Sequence, residues 1–326
     1  MPSNLEEQLT KYLTDAHSIE EQALPQMRAA PDLAADDELA RVFREHETET
    51  EEHERRVRAR LEVRDAAPSK LKDAIAKASA YPFVLFARSQ PDTPGKLVAH
   101  AHSYEALELA AYELLRRVAE RAGDDETAAV AADIAAQERA MRDRLAERFD
   151  RAVAASLAAK GAADDDLGEH VVKYLTDAHA IESQAIQLLE RGPKIAGERE
   201  LARIYSEHLD ETRDQQRRVA ERLAALGGSP SRLKDAAMRL GALNWGGFFQ
   251  AQPDTPAKLA GFAFAFEHLE IAGYELLRRV AERGGDQATA QLAATIADEE
   301  RAAAGRIEGA FDRALDAALD AQGVAA

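Results

Sequence analysis

Apolar residues recur along this chain at steps of three and four, the spacing of one buried helix face, and no stretch keeps the two-residue alternation of a strand. One stripe reads Leu9, Leu13, Ala16, Ala23, Met27; a second Leu39, Val42, Phe43, Val57, Leu61; a third Val98, Ala101, Tyr112, Leu115, Ala119; a fourth Ala131, Ile134, Met141, Leu145, Phe149. These predict long helices over about Asn4 to Met27, broken near Pro31, over Asp36 to Arg64, over Pro94 to Gly123, and from Asp125 into a linker. Thr93 or Asp92 is the expected N-cap of the third, with Pro94 in its first turn. A shorter helical segment opens at Ser69 and is followed by the apolar run Tyr81 to Phe86. Helices of this length with one apolar stripe each form a bundle, so the expected fold class is all-α.

The pattern then repeats. Lys11 to His17 recurs as Lys173 to His179, an offset of 162 (179 − 17), and Gln90 to Pro94, Tyr112 to Arg121 and Phe149 to Arg151 recur at the same offset. Copies this long are domains rather than solenoid repeats. The expected domains are 1–160 and 166–326, each a helical bundle with an extra short segment. Their seam is placed near Lys160 to Gly168, where glycines and three aspartates interrupt the helical pattern.

Each stripe is broken at mid-length by an acidic residue where a leucine is expected. Helix one carries Glu20; helix three carries Glu105 and Glu108; helix four carries Glu138. On helix two the gap between the apolar ends holds His46, Glu49, Thr50 and His53. The second copy repeats this with Glu182, then His208, Glu211, Thr212 and Gln215, then Glu267 and Glu270, then Glu300. One such glutamate would snorkel or pair with an arginine. Five per copy at one level would cost several kcal/mol each if unpaired, against a whole-domain stability of ~5–15 kcal/mol. No arginine occupies these stripes. One or two divalent cations held by oxygen and imidazole resolve the conflict. The expected ligands are Glu20, Glu49, His53, Glu105, Glu108 and Glu138, with Glu182, Glu211, Glu267, Glu270 and Glu300 in the second copy. His46 and His208 are read as supporting the site, Thr50 and Thr212 as hydrogen-bonding, and Tyr112 and Tyr274 as donors to a ligand glutamate. His17 and His179 are expected either to orient the neighbouring glutamate or to face solvent; His268 to point sideways; His100, His102 and His170 to lie on the surface. Because Gln215 stands where His53 does, the second site is expected to bind more weakly or stay empty.

The chain of 326 residues is 46% hydrophobic and carries a net charge of −17, which speaks against nucleic acid or an anionic membrane as a partner. It has no cysteine, which excludes disulfides and thiolate metal sites. Met1 to Glu7 shows no leader pattern and no run reaches the ~18 apolar residues of a membrane span, so a cytoplasmic location is expected. Neither a nucleotide-binding glycine loop nor a serine-hydrolase elbow occurs.

Asp15-Ala16-His17-Ser18-Ile19-Glu20-Glu21-Gln22, Glu49-Thr50-Glu51-Glu52-His53, Phe266 to Tyr274 and Asp298-Glu299-Glu300-Arg301, in this order on successive helices, resemble the ferritin-like superfamily. The closer likeness is to its bacterial YciE/YciF-like branch of stress-associated proteins, and it covers both copies almost end to end. It implies a ferritin-like bundle with a di-metal carboxylate site, usually as a homodimer, so the tandem copies are expected to pair within one chain as a pseudo-dimer. The apolar runs Tyr81 to Phe86 and Leu243 to Phe249 either meet at that interface or cap their own bundles. The chain departs from the ferritin pattern at helix four, where Met141 stands in place of a histidine three residues after Glu138. The leading expectation is metal binding in metal or oxidative-stress handling, with two iron or manganese ions at most per competent domain. A peroxidase or manganese-catalase-like enzyme is the first alternative, and a metal-free scaffold with arginine-paired glutamates, drawing on Arg56 or Arg142, the second.

Overall fold

The computed structural model describes residues 4–70, 72–74, 93–159, 167–231 and 254–324. It divides into two compact units, Met1–Gly161 and Ala162–Ala326. In the first, α1 (Leu5–Leu33) packs on α2 (Asp37–Val63), and α3 (Thr93–Ala122) on α4 (Asp125–Ala146). The turns within these pairs are short, which makes each pair antiparallel neighbours. Contacts of α1 with α3 and of α2 with α4 close a four-helix bundle, and α5 (Phe149–Ala159) lies against α3. The second unit repeats this with α6 (Leu167–Ile195), α7 (Arg199–Ala225), α8 (Thr255–Arg283), α9 (Gln287–Glu308) and α10 (Phe311–Asp320). Every described residue is thus in a helix or its connections, and the all-α tandem architecture read from the stripes is the one observed.

Local chemistry sets the ends. Asn4 and Glu7 form a capping box at the start of α1, and Asp36 accepts from the amides of Glu38 and Leu39 at 3.0 Å to start α2. Asp124 does the same for α4, accepting from Thr127 N at 2.9 Å, and holds the Thr127 hydroxyl, Arg60 and Arg64 as well. Between α3 and α4 the chain must pass through a left-handed conformation, which Gly123 supplies at φ 72° without a Cβ clash.

Several expected boundaries shift. The break near Pro31 does not occur: α1 runs through Pro25 and Pro31 to Leu33. A proline forfeits a backbone hydrogen bond, but Met27 and Ala30 before Pro31 and Ala34 after it are buried, and their packing carries the helix on. The fourth helix is two helices. Arg148 N bonds Leu145 O in a tightened turn at the end of α4, and Phe149 opens α5 instead of extending the α4 stripe. Gly168 lies inside α6 rather than in a linker. Thr93 is the first residue of α3, not its cap, with Pro94 next. Asp92, most of the segment after Ser69, both apolar runs (81–86 and 243–249) and linker residues 160–166 lie outside the described residues.

His102 and His170, expected at the surface, are buried. The reason for His102 is tertiary: α3 is covered by α5 as well as by its bundle partners, and the His102 ring sits 5.4 Å from that of Phe149. His268 is also buried, with Nδ1 2.9 Å from Phe264 O on its own helix. Among the described residues, no helix is long and apolar enough to cross a membrane.

Candidate metal centre

Four helices bring their mid-length polar residues to one level of the first bundle. His46 from α2, Glu105 and Glu108 from α3 and Glu138 from α4 each place a ligand atom within 4.8 Å of the others. Glu20 from α1, His53 from α2 and the same Glu138 form a second group by the same measure. All six are fully buried or nearly so. His46 and His53 are seven residues apart on α2, about two turns, and Glu138 lies across from the space between them. Its Oε1 is 2.8 Å from His53 Nδ1, while its Oε2 is 3.7 Å from His46 Nε2. The two oxygens of one carboxylate therefore face two different groups.

These atoms crowd without bonding. His46 Nε2 is 2.9 Å from Glu105 Oε2, yet neither of these atoms, nor His53 Nδ1, nor either oxygen of Glu105, Glu108 or Glu138 makes an aligned hydrogen bond. Buried polar atoms ordinarily find partners. Polar atoms converging on a common point with no aligned hydrogen bond between them are what a cation requires, and the donor set of carboxylate oxygen with a little imidazole suits hard or borderline divalent ions. The residues present therefore fit a two-ion carboxylate centre, with Glu138 placed to span both positions.

Glu49, expected as a ligand, stands outside both groups. Its half-buried carboxylate lies 2.9 Å from His46 Nδ1 and 2.6 Å from an Arg144 nitrogen. His46 takes the inner place instead. The signal for this was present: at 100° per residue, His53 falls within about 20° of His46 around α2, and Glu49 about 60° away. Glu49 acts on the site through the imidazole, holding one nitrogen so that the other faces inward. His53 is held likewise, with Nε2 3.0 Å from Gln137 Oε1; Gln137 donates to Asp133 at 2.9 Å, and Arg56 pairs with Asp133 at 2.7 Å. Tyr112 donates to Glu20, and Thr50 to the His46 carbonyl at 3.0 Å.

The electrostatics follow from burial. Desolvation, with Glu138 close by, pushes Glu20 up to about 8; desolvation raises Glu105 to about 7 despite His46 and drives Glu108 well above the usual range, with Glu138, Glu20 and Glu105 adding to it. Burial alone would lower the imidazoles, but the carboxylates outweigh it: His53 rises to about 9 beside Glu138, and His46 rises beside Glu105. Burial would raise Glu138 as well, yet the two histidines keep it below its ordinary value. Glu49, despite partial burial, is held down at about 2 by His46 and Arg144. With no cation between them, the two imidazoles and the carboxyls of Glu20, Glu105 and Glu108 hold on to protons in its place.

The second bundle repeats the first group with His208, Glu267, Glu270 and Glu300 within 4.8 Å of one another, all buried. His208 Nε2 is 2.9 Å from Glu267 and 3.7 Å from Glu300. Glu211 is turned outward like Glu49, 3.1 Å from His208 Nδ1 and paired with Arg306. Tyr274 donates to Glu182, which is fully buried and raised to about 8, first by desolvation. Gln215 is fully buried at the position of His53.

A further buried group, His17, Glu21 and Glu54, lies outside the expected ligand set; His17 is 2.8 Å from Glu54 and 3.2 Å from Asp73 instead of orienting Glu20 or facing solvent. Its second-copy counterpart replaces both glutamates, with Gln216 donating to Ser183 at 2.7 Å. The arginines expected to neutralise the bundle interior in a metal-free scaffold are engaged elsewhere, Arg56 with Asp133 and Arg142 with Asp143 at 2.8 Å.

Fold and site together define a tandem all-helical bundle protein with buried histidine–carboxylate clusters. The chain belongs to the family described as a domain of unknown function, DUF892, which it matches twice, over residues 4–158 and 166–320. No solved structure matches it.

Proposed function

We propose that the protein is a ferritin-like di-metal carboxylate protein, similar to the YciE/YciF-like branch, that binds iron or manganese and acts in metal or oxidative-stress handling. The observation that carries this reading is Glu138, whose two buried oxygens face two separate histidine–carboxylate groups and meet no aligned donor. Glu20 and His53 would hold one ion, His46, Glu105 and Glu108 the other, and Glu138 both. Bound there, such ions supply Lewis acidity and, for iron or manganese, one-electron chemistry. The chain's own part is positional. Glu49 and Gln137 fix the imidazoles, Tyr112 orients Glu20, and the apolar layers above and below exclude water.

The peroxidase or manganese-catalase-like alternative needs a proton donor at the centre. Tyr112 offers a hydroxyl there, but its hydrogen bond to Glu20 commits it to a ligand carboxylate. The arginine-paired scaffold is less well supported, because Arg144 and Arg306 reach only the outward-facing Glu49 and Glu211. Metal analysis of protein purified without chelator tests the reading: two ions in the first half are expected, and a metal-free protein that takes up neither iron nor manganese on titration would overturn it. Ferroxidase and peroxide-consumption assays then separate metal handling from peroxide turnover.

A further inference from the structure

The exchange of His53 for Gln215 does not simply remove a ligand, because its neighbours change with it. Gln137, which accepts from His53, is Glu299 in the second copy. Gln215 Nε2 donates to Glu299 at 3.1 Å, and Arg218 pairs with the same carboxylate. This fixes which end of the amide points where, since the reverse orientation would press the amide oxygen against the Glu299 carboxylate. Gln215 Oε1 is left fully buried, and no donor reaches it. His53, at the equivalent position, directs its inner nitrogen at Glu138 and Glu20; their counterparts are Glu300 and Glu182.

In a bundle that never held a cation there, the favourable arrangement is the opposite one. An amide NH₂ turned inward would donate to the buried carboxylates, and Gln137, kept as glutamine, could donate to the outward oxygen. Instead, an acidic residue on the outside draws the NH₂ away and leaves an acceptor at the position from which His53 addresses Glu138 and Glu20 in the first half. Glu182 Oε2 and both oxygens of Glu300 are likewise buried without donors. An orphaned acceptor facing orphaned acceptors costs on the order of 1–3 kcal/mol per group unless a proton or a metal cation sits between them.

From this geometry we infer that Glu182, Gln215 and Glu300 form a working all-oxygen position for a hard divalent cation of the Mn²⁺ or Mg²⁺ class. The second half would then be a two-ion centre of different metal preference, not a weakened or empty copy. This rests on the two-ion reading of the first half. Replacing imidazole nitrogen by amide oxygen shifts selectivity away from Zn²⁺ and Co²⁺, which favour nitrogen, and towards ions that prefer oxygen. Glu299 is the positioning residue, and it adds a negative charge that Gln137 lacks.

The test uses the full chain, stripped with chelator, reloaded with Mn²⁺ alone and counted by native mass spectrometry. Wild-type protein is expected to hold four ions and Gln215→Leu three, while Glu299→Gln, which frees the amide to turn over, should weaken the affected position roughly 10–100-fold. Should Gln215→Leu misfold, the double change Gln215→His, Glu299→Gln rebuilds the first-half pair. It should keep four ions but let Zn²⁺ displace one Mn²⁺ at an at least tenfold lower concentration. A manganese count that Gln215→Leu leaves unchanged overturns the inference while leaving the first-half centre standing. A wild-type chain that binds no ion overturns both.

Discussion

Glu138 and its counterpart Glu300 provide a test in which identical substitutions have different consequences. In chelator, Glu138 is ionised, because His53 at 2.8 Å and His46 at 3.7 Å outweigh the burial that would raise it. Glu138→Gln keeps the shape but leaves two raised imidazoles without their shared anion. Breaking a fully buried charge pair by removing one partner costs about 3–5 kcal/mol. At roughly 2–4 °C per kcal/mol for a domain of this size, the melting temperature of the first half should fall by about 6–20 °C. Glu300 has one imidazole, at 3.7 Å, and desolvation together with Glu270, Glu267 and Glu182 drives it well above the usual carboxylate range. In chelator it already carries a proton, and glutamine mimics that neutral form. Glu300→Gln should therefore change the melting temperature by no more than about 4 °C, the equivalent of ~1 kcal/mol. With Mn²⁺ present the contrast should vanish, since each glutamate then serves as an ionised ligand and each variant loses ions. Circular dichroism melts with and without EDTA, paired with ion counts, read this directly. Equal losses for the two variants in chelator would refute the assignment of charge between the two halves.

The pH dependence has a definite sign. Glu20 and Glu182 are raised from 4.5 to about 8, His53 from 6.5 to about 9 and His208 to about 10, so the folded chain holds protons that the unfolded chain releases. Stability without metal, full below the unfolded values, should decline as pH rises from about 4.5 through 10, whereas metal must displace those protons and binds better over the same window. The rise in melting temperature on adding Mn²⁺ should grow steadily from pH 5.5 to 8.5, and a flat response would argue against buried proton release. Tyr112→Phe removes the hydroxyl that orients Glu20 and should lower Mn²⁺ affinity roughly tenfold by calorimetric titration while leaving the ion count intact. Asp124→Ala deletes the α4 cap and the anion shared by Arg60 and Arg64, and should cost about 2 kcal/mol by urea denaturation with no change in metal content.

Much of the molecule was legible in one dimension. The 3.6-residue stripes, the constant 162-residue offset and the acidic interruptions depend only on local periodicity and on the rule that buried faces are apolar. They located the helices, the duplication and five of the six first-half residues that converge: Glu20, His53, Glu105, Glu108 and Glu138. Tertiary structure decided what local pattern leaves open. It passed α1 through Pro31, because packing of Met27 and Ala30 offsets one lost hydrogen bond, and it buried His102 under α5, an element split from α4 by a single tightened turn. It exchanged Glu49 for His46, since a 60° difference around α2 separates the bundle axis from the groove where Arg144 waits. It also set Glu138 between two groups and turned the Gln215 oxygen inward, because both outcomes depend on partners more than 80 residues away in the chain, beyond the reach of any helical period.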